Sequence, residues 1–263
     1  ALLIPGGTSP TAVRVHVSKI WDAMLKGVEG GYPANYKLLY ITNANPLNQF
    51  PHTNKGVEAF KTMEFIVVHE QFMNATARFA DILLPVNTIL ERNDIAHPWL
   101  SAPYYIYLNK AVESLGESRS DFQIAWDLAP LLGIDNYSYL DEEGWLKKSV
   151  EKADDVPDYD EFKRAGKHVV KLPEPYVSFR DQIADPEKNP FPTPSGKIEI
   201  FSELLAEMDN PRIPPVPKYI EAAEGPRDPL RELFPIQLIT THYRRRVHSI
   251  FENIPWLAEL EQD

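Results

Sequence analysis

The tightest constraint on this chain's fold is an alternation of sequence periods between Lys37 and Leu90. An apolar run, Leu38-Leu39-Tyr40-Ile41, breaks into Asn43-Ala44-Asn45-Pro46. A helical pattern over 55–62, capped by Thr53 or Asn54, leads to a second run, Phe65-Ile66-Val67-Val68, which ends in His69-Glu70. A short helix over 74–80 precedes a third run, Ile82-Leu83-Leu84-Pro85. Apolar runs alternating with helices predict a parallel sheet with crossover connections, an α/β fold. Ligands of such sheets sit beyond the carboxyl ends of the strands. Those ends carry Asn43, Asn45, His69 and Glu70, all able to hydrogen-bond, which points to a nucleotide-like ligand.

The remainder organises around that unit. Residues 1–11 read as loop, and apolar positions at helical spacing predict a helix from Val13 to Lys26, stopped by Gly27. A strand is expected over 103–108, a helix from Ser118 to Leu132, and acidic-faced helices over 141–152 and 158–165. Prolines then recur, as in a linker or wrapping arm. Strands are predicted at Lys197–Phe201 and Pro235–Thr241, with a helix over 202–208 between them. The division that follows is an α/β domain over 1–155, a Pro-rich connecting arm over 156–232 and the start of another domain over 233–263.

Charge and composition exclude several functions. Among 263 residues, 27 Lys and Arg face 38 Asp and Glu, a net charge of −11 that disfavours binding to a nucleic-acid backbone. No stretch of 18 apolar residues is present to span a membrane as a helix, and the amino-terminal residues lack a signal-peptide pattern. With no initiator methionine, the chain reads as an internal piece of something longer. Zero cysteines exclude a disulfide, a thiolate zinc site, a cysteine nucleophile and a cysteine-ligated iron–sulfur cluster within it.

Each polar constellation has two readings. The Asn43–Gln49 loop supplies amide donors and acceptors to a ligand, or is turn chemistry alone. Thr76 bonds a ligand or caps the helix after it; Asp81 and Glu91-Arg92 form an ion pair or touch ligand. Asp121 caps its helix or presents a carboxylate to a bound base. The run His242-Tyr243-Arg244-Arg245-Arg246-Val247-His248-Ser249 is a solvated basic loop or an anion site built on arginine forks. No GxGxxG, GxxxxGK[ST], HExxH or GxSxG pattern is present.

Taken in order, several stretches resemble the molybdopterin oxidoreductases of the dimethyl sulfoxide reductase family. They are Asn43-Ala44-Asn45-Pro46, Glu64 to Val68, Thr76-Ala77-Arg78-Phe79-Ala80-Asp81-Ile82-Leu83-Leu84-Pro85, Glu91-Arg92 and Ser120-Asp121-Phe122. Thr193-Pro194-Ser195-Gly196-Lys197-Ile198-Glu199, Thr240-Thr241-His242 and Arg246-Val247-His248-Ser249 continue the series. The resemblance covers roughly residues 37–257 and implies a Rossmann-like domain followed by the opening of a cofactor-binding β-barrel.

It also implies a cofactor, molybdopterin guanine dinucleotide. Asn43, Asn45, Gln49, His69, Glu70, Thr76, Arg92 and Asp121 would line a guanosine and its phosphates. His242, Arg246, His248 and Ser249 would face the pterin. The family's cysteine-rich cluster segment and the domain that usually carries the molybdenum ligand have no counterpart in this sequence, so the isolated chain is expected to be inactive. Implied partners are the remainder of the catalytic subunit and an iron–sulfur electron-transfer subunit, at the periplasmic face of the membrane or in the cytoplasm of an anaerobic prokaryote. The activity implied is oxygen-atom transfer in anaerobic respiration. The alternatives are a non-redox member of the acetylene hydratase or transhydroxylase kind, and a non-catalytic nucleotide-binding module.

Overall fold

The computed structural model describes residues 14–98, 103–153, 156, 158–242, 244, 247, 251 and 254–260. They fall into two units, Ala1–Tyr176 and Val177–Asp263. The first holds helices α1 (Ile20–Lys26), α2 (Pro46–Gln49), α3 (Thr53–Lys61), α4 (Asp121–Leu131), α5 (Glu142–Glu151) and α6 (Tyr159–Ala165). Its strands are β1 (Leu38–Ile41), β2 (Phe65–Glu70), β3 (Ile82–Pro85), β4 (Asp94–Ala96), β5 (Tyr104–Leu108) and β6 (Lys167–Val169).

β1, β2 and β3 form a three-stranded sheet in that order, parallel throughout, with Ile41 opposite Val68 and His69 opposite Leu84. The predicted parallel sheet is therefore present. Its register brings the loop after β1 and the His69-Glu70 end of β2 to one edge. β2 is central, so Ile66, Val67, Val68 and His69 are all buried, whereas β1 alternates, burying Ile41 and exposing Leu38. One face packs Ile66 and Val68 against Trp21, Leu47 and Phe60 from the helices. Burying a side chain like that of Phe60, 1% exposed, stabilises by about 1.5–3 kcal/mol. Gly56 lets α3 approach closely, since a β-carbon there would lie 3.0 Å from both Leu47 Cδ2 and the Trp21 ring.

A second sheet, antiparallel in the order β4-β5-β6, was only partly foreseen: the sequence predicts β5 alone. Tyr105 and Tyr107 of β5 pack with Val150 of α5 and Tyr159 and Phe162 of α6. Asp141 caps α5 by accepting from Gly144 N at 2.8 Å, Asp158 caps α6, and Gly166 ends α6 in the left-handed conformation. Because β6 pairs with β5, the compact unit extends past the boundary expected at residue 155.

Local corrections have plain causes. α3 starts at Thr53 and its cap is His52, whose Nδ1 accepts from Lys55 N, not Thr53 or Asn54. The first helix is shorter than predicted, a 3-10 turn over Val17–Lys19 and then α1, while Val13 lies outside the described residues. The expected helix over 74–80 is a single 3-10 turn, Ala77–Phe79.

The second unit contains α7 (Arg180–Ala184), α8 (Glu203–Glu207), a 3-10 turn at Pro229–Glu232 and α9 (Pro255–Ala258). Lys197–Phe201 and Pro235–Thr241 are not strands, contrary to expectation. Their apolar residues favour extended backbone, but a strand also needs a neighbour for its amides, and among the described residues neither segment has one. Of the described residues in this unit, only Gly225 is buried. No helix of the described residues is long and apolar enough to cross a membrane.

Candidate functional site

The carboxyl edge of the parallel sheet gathers most of the candidate residues. Asn43 follows β1 with φ of 53°, a left-handed turn that asparagine tolerates better than most side chains. The chain then enters α2, with Asn45 at its cap position and Pro46 as its first residue. Gln49 Oε1 accepts from Asn45 N at 2.9 Å. Thr76 Oγ1 donates to Asn45 Oδ1 at 2.7 Å and accepts from Leu47 N at 3.2 Å.

Thr76 is fully buried, so it neither caps the turn after it nor offers its hydroxyl at the surface. It fastens the Asn45 loop from beneath. The exposed amides of Asn43 and Gln49 form the loop's outer rim.

Beside that loop, strand alternation puts Tyr40, opposite Val67, on the sheet face that Val67 shares with His69. Tyr40 Oη and His69 Nε2 are 2.6 Å apart, and His69 Nδ1 and Asp121 Oδ1 are 2.7 Å apart. Burial, and then the negative charge of Asp121, raise the Tyr40 pKa, so its hydroxyl keeps a proton to donate. The Asp121 carboxylate can only accept, so a neutral imidazole donates Nδ1–H to it and Nε2 accepts from the Tyr40 hydroxyl.

Asp121 is the first residue of α4, and Ser120, not Asp121, is the cap, its hydroxyl accepting from Gln123 N at 3.0 Å. The carboxylate is 47% exposed although its imidazole partner is only 2% exposed. Among the described residues nothing bonds its second oxygen, Oδ2.

Glu70 builds its own turn. Its Oε1 accepts from Gln71 N at 2.8 Å and its Oε2 from the Asn74 amide.

Arg92 pairs with Asp94 at 2.9 Å, not with Asp81, whose Oδ2 accepts from Ile66 N at 2.7 Å. Arg92 Nε is buried without a hydrogen-bond partner among the described residues. The same arginine lines a cavity of about 450 Å³ with Asn87, Arg119, Ser120 and Phe122, the last two flanking Asp121 in sequence. Glu91, next to Arg92 in sequence, is 4% exposed. The backbone N–H groups of Thr88 and Leu115, at 2.7 and 2.6 Å, hold its carboxyl down to about 2. Glu91, which also lines that cavity, thus ties two loop segments together.

His242 is exposed in the second unit, and Arg246, His248 and Ser249 lie outside the described residues. The structure therefore joins Asn45 to Gln49 and Thr76, and His69 to Asp121. Two participants escaped sequence reasoning. Tyr40 sits in an apolar run, where its face is legible only once register is known. Asn74, which bonds Glu70 and accepts from Ala77 N at 2.8 Å, was signalled only by its place just before Thr76.

A parallel α/β unit with polar side chains massed at its carboxyl edge defines the class, and comparison with known proteins makes it specific. Residues 10–130 match the family described as molybdopterin oxidoreductase. The chain is 34% identical over 276 residues to the probable dimethyl sulfoxide reductase chain YnfF of Escherichia coli, covering 97% of this chain and 33% of that one. It is 32% identical to dimethyl sulfoxide reductase DmsA of the same organism, over 88% of this chain and 31% of DmsA. With a trimethylamine-N-oxide reductase of Pasteurella multocida the identity is 35%, over 82% of this chain and 28% of the relative. Among solved structures, acetylene hydratase from Pelobacter acetylenicus superposes with a TM-score of 0.62 at 22% identity, covering 84% of this chain and 28% of that one. The chain belongs to the molybdopterin oxidoreductase family. It spans about a third of the length of the curated relatives it matches.

Proposed function

We propose that this chain is the portion of a dimethyl sulfoxide reductase-like catalytic subunit that holds the guanosine end of a molybdopterin guanine dinucleotide. The observation that carries the reading is the Asp121 carboxylate. It stands half exposed at the start of α4, anchored to His69 through Oδ1, with Oδ2 bonded to no described residue. Guanine presents two adjacent donors, N1–H and N2–H₂, which a carboxylate accepts as a pair. The residues at the edge fit such a group: a paired acceptor for the base and the amides of Asn43 and Gln49 for ribose and phosphate oxygens.

Bound in the whole subunit, the pterin's molybdenum would supply the oxygen-atom transfer chemistry. This chain's residues do the holding. Asp121 takes the base, the Asn43–Gln49 loop and Glu70 border the sugar and phosphates, and Thr76 keeps the loop in shape from below. Arg92 is assigned to the phosphate side, where its guanidinium, lining the cavity, offers donors to an anion. His242, Arg246, His248 and Ser249 are assigned to the pterin side. In this reading the 81–86 region completes a Rossmann-like domain, the prolines after residue 170 form a connecting arm, and the segment from 233 opens the barrel. Electrons come from an iron–sulfur partner, and the isolated chain does not turn over.

Asp121→Asn in the full-length subunit tests this. The substitution keeps an acceptor for His69 but turns a donor toward guanine's donors. Losing charge-assisted bonds worth ~1.5–3 kcal/mol each should cut cofactor affinity at least about tenfold. Guanine released from purified enzyme should fall while melting of the cofactor-free protein changes little. Full guanine occupancy would refute the assignment.

A further inference from the structure

We propose that His69 and Tyr40 are positioning residues: they aim the Asp121 carboxylate and so set how sharply the site selects guanine. The inference deepens the reading of Asp121 as the base receptor and rests on it. His69 is 4% exposed and so is poorly placed to touch a ligand itself. Instead it stands in line between Tyr40 Oη at 2.6 Å and Asp121 Oδ1 at 2.7 Å.

The physical need is clear. An aspartate at the first position of a helix, 47% exposed on its side chain, has two soft torsions and water on one side. Left alone, it would present its oxygens to a base in many orientations. Paired recognition of N1–H and N2–H₂ requires both oxygens to lie near the base plane. The imidazole supplies the restraint, because it is carried by the central strand of the parallel sheet and its side chain is 2% exposed. One 2.7 Å bond to Oδ1 therefore fixes the carboxylate's rotation against the sheet. Oδ2, and the remaining lone pair of Oδ1, stay available.

Tyr40 is the second half of the device. A neutral imidazole has one N–H, and only the tautomer with the proton on Nδ1 can donate to Asp121. The other tautomer would turn a lone pair toward a carboxylate. A hydroxyl donating to Nε2 selects the productive form. The edge-to-face contact of the two rings, centroids 5.1 Å apart, holds them in that relation. Neither residue needs to meet the ligand for either to matter.

The test uses the cofactor-free full-length subunit, with guanosine diphosphate and inosine diphosphate as probes read by calorimetry. Inosine lacks the 2-amino group, so the ratio of the two affinities reports on the paired carboxylate bonds and not on the phosphates. Wild type should prefer the guanine nucleotide by about tenfold, consistent with one charge-assisted bond. His69→Leu should pull that ratio down to about twofold while inosine affinity moves little. His69→Gln, whose amide carries one donor and one acceptor, should restore most of the preference, and Tyr40→Phe should give an intermediate ratio. A merely structural role for His69 would lower both affinities together and leave the ratio intact, overturning the inference. Should His69→Leu not fold, Tyr40→Phe decides: an unchanged ratio overturns it. Asp121→Asn separates the two ideas. If that variant abolishes the preference and the His69 and Tyr40 variants do not, positioning fails and base recognition stands. A preference that survives Asp121→Asn, or is absent from wild type, overturns both.

Discussion

The parallel-sheet region, residues 38–86, and the second unit, residues 177–263, use apolar side chains in opposite ways. In the first, Ile41, Leu47, Phe60, Ile66 and Val68 pack together with exposures of 5% or less. In the second, Ile198, Ile200, Ile236 and Leu238 are 73–89% exposed, and only Gly225 is buried among the described residues. Both regions are comparably rich in isoleucine, leucine and phenylalanine. What separates them is whether main-chain partners exist. Once β1, β2 and β3 share amides, every second side chain is forced toward the helices; without partner strands, the same residue types stay in solvent.

That contrast breaks or sharpens under substitution. The largest effect is expected at Phe60, where Phe60→Ala should cost about 3–5 kcal/mol in urea unfolding of the first unit. A loss below about 1 kcal/mol there would mean that the cluster is not the region's core. Gly56→Val comes next. Its new side chain would press on Leu47 and Trp21, an overpacking penalty of about 1–3 kcal/mol. Since Leu47 belongs to α2, the change should also weaken nucleotide binding at the edge.

Third is acid. Glu91 titrates near 2 when folded, against 4.5 for the free side chain. A carboxyl whose folded pKa is depressed contributes stability that is complete above its unfolded pKa and is lost as pH falls through the folded one. The stability gap between wild type and Glu91→Gln, read as a melting difference of a few degrees at pH 7, should therefore close between about pH 4.5 and pH 2. A gap that persists at pH 2 would detach Glu91 from that role. The smallest effect belongs to the second unit: Ile236→Ala should shift unfolding by no more than about 0.5 kcal/mol. A cost like that of Phe60 would show that Ile236 is packed after all.

The comparison also explains what could be read from sequence. β2 was legible because a central parallel strand is apolar on both faces, and its polar end, His69-Glu70, marked the edge without any need of register. The Asn43 loop was legible because Asn and Pro break a strand for local reasons. Tyr40 was not, since its importance depends on standing beside His69, a relation between segments far apart in sequence. Thr76 was visible as a residue but not as a buried clasp, because a hydroxyl's partner cannot be inferred from its neighbours. β4 and β6 escaped for a different reason: three-residue strands such as Lys167–Val169 carry no period to detect. The extended segments after residue 190 were misjudged as strands because propensity reports a residue's preference and not its company.

The register of β2 has a kinetic side as well. Leu38 finds Phe65, and Val67 finds Ile82, across two crossovers, so neither pairing is local. Loop closure must come before either contact repays it, which makes parallel pairing slow and leaves β2 satisfied on both sides only after both closures. The edge carrying Asn43 and His69 therefore comes into being only when both closures are complete. A peptide spanning only the loop after β1 should have no recognisable affinity for a nucleotide, however faithfully it copies the sequence. During synthesis, the site has to wait until α4, which carries Asp121, has left the ribosome.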